Sequence, residues 1–156
     1  MRISDILAEE RVMPHLVAES RDDALRQIVD HLVSHSSAEL DREKILRLLV
    51  QRERAGSTGI GHSIAIPHAK VPGLEQPVGC FARAPDGVDF SSLDGQPAHL
   101  IMTLLAPEGR ASQHLKALAR ASRLFQSAEF RQKLRQTAES RAIWETILEH
   151  DRTLAS

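Results

Sequence analysis

"AHLIMTLLAP", residues 98–107, is interrupted in its apolar run only by His99 and Thr103. It is far shorter than the ~20 apolar residues of a membrane span. A half-buried strand alternates apolar and polar residues, and this one does not. The pattern is that of a central strand covered on both faces, which calls for helices above and below a sheet. The rest of the chain supplies them. "PVGCFARA" (77–84) is a second strand, and "PDGVDFSSLDGQP" (85–97) between the two carries a pair of Asp-Gly turn signals around a short strand at Val88 to Phe90.

Upstream, residues 20–36 form an amphipathic helix with Ser20 or Asp22 as cap and Ala24, Leu25, Ile28, Val29, Leu32 and Val33 on its apolar face. Residues 40–56 form a second, begun by Asp41, stopped by Gly56 and buried along Leu46, Leu49 and Val50. Downstream, helices are predicted from Ser112, Ser127 and Ser140, each serine acting as cap, with Trp144 on the apolar face of the last. "ISDIL" (3–7) reads as a short turn and "RVMPHLV" (11–17) as a strand that Pro14 places near an edge. The expected architecture is α/β, a single-domain mixed β-sheet flanked by helices over residues 1–156.

Composition narrows the function classes. A net charge of −1, from 20 basic and 21 acidic residues, gives no field that draws nucleic acid or an anionic membrane surface. Aromatic residues are 3% and tyrosine is absent, so there is no stacking platform for nucleic-acid bases. Cys80 is the only cysteine; it lies in an apolar run and reads as a core thiol in a reducing compartment. No signal peptide or membrane span is evident, which points to a soluble cytoplasmic protein. There is no GxxxxGK[ST] loop and no GxSxG elbow. His62 and His68 lack metal-pair spacing, so neither a metal nor a cofactor is expected.

The chemistry concentrates in "STGIGHSIAIPHAK", residues 57–70. A glycine-rich turn feeds a short apolar strand that is halted by Pro67, which has no N–H and a fixed φ and turns the next side chain outward. That side chain is His68. A neutral imidazole is a nucleophile near pH 7 and forms covalent intermediates. Local context leaves a structural and a catalytic histidine both open. His114 falls in the first turn of a helix, where free N–H groups and the helix dipole suit a phosphate. Arg52, near the end of the second upstream helix, is a fork donor for phosphate oxygens. Each of the two also has a plain reading as a solvated helix residue, and His15, His31, His35, His99 and His150 stand in no pattern.

The stretch resembles the signature of the IIA components of the bacterial phosphoenolpyruvate-dependent sugar phosphotransferase system, in their mannitol, fructose and nitrogen-regulatory class. Glu53 stands at its acidic position, followed by Ile60-Gly61 and then Ile64-Ala65-Ile66-Pro67-His68-Ala69. "FSSLDGQPAHLIMTLLAPEG" and "SQHLKALARASRLF" resemble the same family in order and spacing. The resemblance implies the mannitol-type IIA fold. It also implies that His68 is phosphorylated on Nε2 by a small phosphocarrier protein, with His114 and Arg52 beside the phosphate. His62 stands where many members have Asn, and Ser63 where Gly is usual, so His62 is a candidate modulator of His68. "GSTGIG" and "ISDIL" look more like the nitrogen-regulatory branch, whose members act on partner proteins through their phosphorylation state. Two alternatives remain: a stand-alone sugar-type IIA passing phosphate to a IIB component, and a binding module that has lost phosphotransfer. Ile60, Ile64 and Ile66 are expected to form a shallow docking patch around His68.

Overall fold

In the computed structural model, which describes residues 1–154, two short 3-10 turns (Ile3–Asp5 and Glu9–Arg11) lead into β1 (Val12–Met13). There follow α1 (Arg21–Ser34), α2 (Arg42–Ala55), β2 (Gly59–Gly61), β3 (Ile64–Ala65), β4 (His68–Val71), β5 (Val78–Val88) and β6 (Ala98–Pro107), then α3 (Ala111–Leu124), α4 (Ala128–Gln136) and α5 (Ser140–Thr153). The domain expected over 1–156 extends two residues beyond those described.

β6 is the central strand. β5 runs antiparallel to it on one side, with β1 outside β5. On the other side β3 and β4 lie end to end, both parallel to β6, Ile64 opposite Leu100 and His68 opposite Leu104. Pro67 therefore does not end an isolated strand as expected. It breaks one sheet edge into two halves, and pairing resumes at His68.

Successive β6 side chains feed opposite cores, because the side-chain period of a strand is two. From Leu100 on, Ile101 and Leu105 pack with α1 and α2 residues such as Ile28, Leu32, Ile45 and Leu49. Leu100, Met102 and Leu104 pack with Ala121, Leu124, Leu134, Ile143 and Ile147 of α3, α4 and α5. The result is three layers, helices on both faces of a mixed sheet, as the unbroken apolar run of β6 requires. Cys80 is fully buried in the first core, and burial pushes its thiol up to about 12. Among the described residues no helix is long and apolar enough to cross a membrane.

Four local expectations are corrected. β5 continues to Val88, because a register shift between Arg83 and Val88 absorbs the Asp86-Gly87 pair that reads as a hairpin turn. Ser112 is the second residue of α3, whose N-cap is Arg110; the chain enters the helix early from a turn in which Gly109 has φ +85°. Ser140 is likewise the first residue of α5, with Glu139 at the cap. Ser20, Asp41 and Ser127 cap as expected, each accepting from the backbone N–H three residues on. In α2 the buried residues are Ile45, Leu49 and Glu53, so its inward stripe is rotated from the one read off the sequence.

Candidate functional site

His68 opens β4 at the sheet edge, where residues from both helical layers reach it. Arg52, in the last turn of α2, comes from one layer, and its Nε–H donates to His68 Nε2 at 3.3 Å. Its Nη1 is tied to the Gly56 carbonyl at 2.7 Å, so the guanidinium is held over the histidine from two sides. His114 of α3 comes from the other layer, its ring centroid 5.4 Å from that of His68 and tilted by 57°. The structure thus gathers His68, Arg52 and His114 from three separate elements.

The His68 ring is oriented by its own strand. Nδ1 lies 2.9 Å from the Ile66 carbonyl oxygen. A carbonyl only accepts, so Nδ1 carries the proton and Nε2 presents its lone pair. Burial is the main reason the imidazole sits below the ordinary histidine value; the nearby Arg52 guanidinium acts in the same sense, against the Ile66 carbonyl and the Glu53 carboxylate. His114 is lowered as well, by burial first and then by His68 and Lys70. Two neutral rings and one permanent cation make an environment for an incoming anion.

His114 differs in detail from its expectation. It is the fourth residue of α3 and its own N–H is engaged, 3.3 Å from the Arg110 carbonyl. It offers its buried ring to the site rather than a free amide. His62 is not gathered in. It is exposed, and its backbone N–H donates to Asp94 Oδ2 at 3.1 Å. The turn there is left-handed over three residues, with φ of +88° at Gly61, +55° at His62 and +63° at Ser63. Asn and Gly adopt this conformation most readily, and serine costs about 1–2 kcal/mol in it. Ser63→Gly should therefore raise the unfolding free energy by about 1 kcal/mol, after the greater entropy of glycine in the unfolded chain, as measured by urea denaturation.

The expected apolar patch is also redrawn. Ile64 and Ile66 are 1% and 3% exposed, because their side chains point into the second core. Ile60 is exposed, and the other large exposed apolar residues of this region are Leu93, in the loop after β5, and Leu115, beside His114.

One residue of the region went unread in the sequence except as a motif position. Glu53, next to Arg52, is only 2% exposed. Its carboxylate accepts from Thr58 N–H at 3.2 Å and from the Thr58 hydroxyl, with Arg21 Nη1 3.6 Å away. The signal was present: an acid in the last turn of a helix opposes the helix dipole, and such a residue calls for partners beyond the helix.

The pattern of the family described as "Phosphoenolpyruvate-dependent sugar phosphotransferase system, EIIA 2" matches residues 5–150. The chain is 40% identical over 150 residues to a nitrogen regulatory protein of Bradyrhizobium diazoefficiens, covering 94% of this chain and 95% of that one. Among solved structures it is similar to nitrogen regulatory protein IIA-Ntr from Neisseria meningitidis, with a TM-score of 0.84, 29% identity and coverage of 93% and 98%. IIA mannitol from Escherichia coli shares the fold, with a TM-score of 0.76 at 20% identity over 90% of this chain and 97% of that one.

Proposed function

The chain belongs to the EIIA 2 family of the phosphoenolpyruvate-dependent sugar phosphotransferase system, and we propose that within it His68 accepts a phosphoryl group on Nε2 from a histidine-phosphorylated phosphocarrier protein. The observation that carries this reading is the pair of bonds at the ring: Nδ1–H donates to the Ile66 carbonyl, which leaves Nε2 unprotonated and turned to the Arg52 Nε–H.

The step exchanges one N–P bond for another. The Nε2 lone pair attacks phosphorus, the bond to the donor imidazole breaks, and its electron pair leaves with the donor nitrogen. His68 keeps its Nδ1 proton throughout. Because a phosphoramidate is traded for a phosphoramidate, neither direction is strongly uphill. The protein's task is alignment and neutralisation of the equatorial oxygens. Arg52 moves its donor from the nitrogen lone pair to the phosphoryl oxygens, and His114 borders the same space.

We take the phosphorylation state to be the output, read by regulatory partner proteins. The supporting likeness is to nitrogen regulatory proteins matched along nearly their whole length. Reconstitution with phosphoenolpyruvate, the general enzyme and purified phosphocarriers tests the transfer. Offering the product to a IIB component then separates regulation from sugar transport: rapid discharge to IIB would favour the latter.

Two outcomes follow from the geometry. Arg52→Ala should slow transfer about 10²–10³-fold, the usual cost of losing one donor to developing charge. Arg52→Lys should recover only part, since an ammonium keeps charge but not the fork; quench-flow labelling measures both. The second outcome concerns pH. Only the neutral ring attacks, and His68 titrates below the ordinary value of about 6.5. Its reactivity should stay level as pH falls through that value and decline only beneath it. The stability linked to the neutral ring is present above the unfolded-state pKa and is lost as pH falls through the folded one. Single-turnover labelling across pH, with an NMR titration of the ring, checks the sign.

A further inference from the structure

The hydrogen bonds around Glu53 form a continuous chain that ends on the reactive ring. Glu53 Oε2 accepts from Thr58 N–H at 3.2 Å, and the Thr58 hydroxyl donates to Oε1. The Thr58 carbonyl in turn accepts from Ile66 N–H at 3.0 Å. The Ile66 carbonyl then accepts from His68 Nδ1–H at 2.9 Å. Glu53 and Thr58 are 2% and 4% exposed, so water does not compete for these groups. We propose that Glu53 is a positioning residue for His68, which through Thr58 and Ile66 holds the ring with Nδ1 protonated and Nε2 bare; this rests on His68 being the phosphoacceptor.

A staple joining the end of α2 to the next turn would account for the Thr58 bonds alone. Three further observations favour positioning. Ile66 N–H belongs to the residue whose carbonyl orients the ring, so a shift of Thr58 is passed to that carbonyl. Pro67 lies between carbonyl and ring, and its fixed φ leaves little slack to absorb such a shift. The Thr58 segment is itself wedged in place: a Cβ at Gly59 would collide with the Ser92 hydroxyl. Glu53 also sets the balance of charge at the ring. Arg52 from α2 is the cation that acts on it, with the His114 ring of α3 beside it, itself under Lys70 of β4, and Glu53 is the carboxylate that opposes Arg52. Second-layer carboxylates orient metal-bound histidines in the same manner, with 10–100-fold effects when removed.

The test is made on the ring, apart from phosphoryl transfer. Long-range 15N–1H spectra of the full-length protein report the His68 tautomer and its titration. The wild type should be almost wholly Nδ1–H. In Glu53→Gln the Nε2–H tautomer should rise several-fold, and the ring should titrate at lower pH because a nearby negative charge is gone. Labelling should slow about 10–100-fold. Thr58→Val, which removes one donor to the carboxylate, should move the tautomer the same way by less. A staple without a positioning role would lower Tm and leave tautomer and titration unchanged, and that result in folded Glu53→Gln overturns the proposal. If Glu53→Gln does not fold, an unchanged tautomer in Thr58→Val overturns it. Failure of the functional reading looks different: the wild type would take no phosphate, or phosphate would still enter His68→Ala, whatever the tautomer spectra show.

Discussion

His68→Ala should take up no phosphate when incubated with phosphoenolpyruvate, the general enzyme and its phosphocarrier, while the wild type takes one. The substitution removes a ring whose Nε2 is unprotonated and accepts from the Arg52 guanidinium. His114 is close, at 5.4 Å between ring centroids, and is the natural substitute acceptor. It lacks the donor arrangement at Nε2 that Arg52 provides for His68. The wild-type adduct should be acid-labile and alkali-stable, as phosphohistidine is. The fold should survive, since His68 is only half-buried at the sheet edge and outside both apolar cores. Intact-mass measurement after alkaline quench decides the matter: stoichiometric label on folded His68→Ala would transfer the role to another residue.

The second large effect is on stability. Arg120 of α3 donates from Nε to Asp151 Oδ1 at 2.7 Å and from Nη2 to the Asp151 carbonyl at 2.9 Å. Asp151 Oδ2 accepts from Ile3 N–H at 3.0 Å, so one carboxylate fastens α3, α5 and the N-terminal turn. The two residues are 8% and 3% exposed. Asp151→Ala leaves a guanidinium in a place largely closed to water and a buried N–H without its acceptor. The unfolding free energy should fall by about 3–5 kcal/mol, the cost of breaking rather than replacing a buried pair. Arg120→Met with Asp151→Leu should recover a substantial part, because two apolar chains place no charge in the buried site. Chemical denaturation of the single and double variants measures both; a loss below about 1 kcal/mol for Asp151→Ala would mean that the pair is solvated.

What was legible in the sequence was local. Ser20 and Asp41 announce their helices, Gly56 closes the second, and the unbroken apolar run of β6 calls for its three layers. The grouping of His68, Arg52 and His114 came through the resemblance, since the last two lie 16 positions before and 46 after the first and no local pattern joins them. What stayed hidden depends on distant partners. The Arg120–Asp151 pair spans 31 positions and looks like two surface charges on two helices. Glu53 likewise looks solvated until the chain turns back and places Thr58 beneath it. The Asp86-Gly87 pair misleads because a register shift within a strand uses the same residues as a hairpin turn. The left-handed conformations at His62 and Ser63 are imposed by the turn against the ordinary preference of serine.

The margins of the sheet bear on how such a protein meets others. β1 is two residues long and followed by Pro14, β2 is three residues long and ends in the left-handed turn, and β4 presents the exposed Lys70. Short strands, proline and an outward lysine are the devices by which sheets refuse another chain's backbone. Along these described edges such devices work against a visitor that would add a strand. On the function proposed above, recognition falls to the side chains around His68, a mode that allows quick release. A carrier that must accept from one protein and be read by another needs encounters that end.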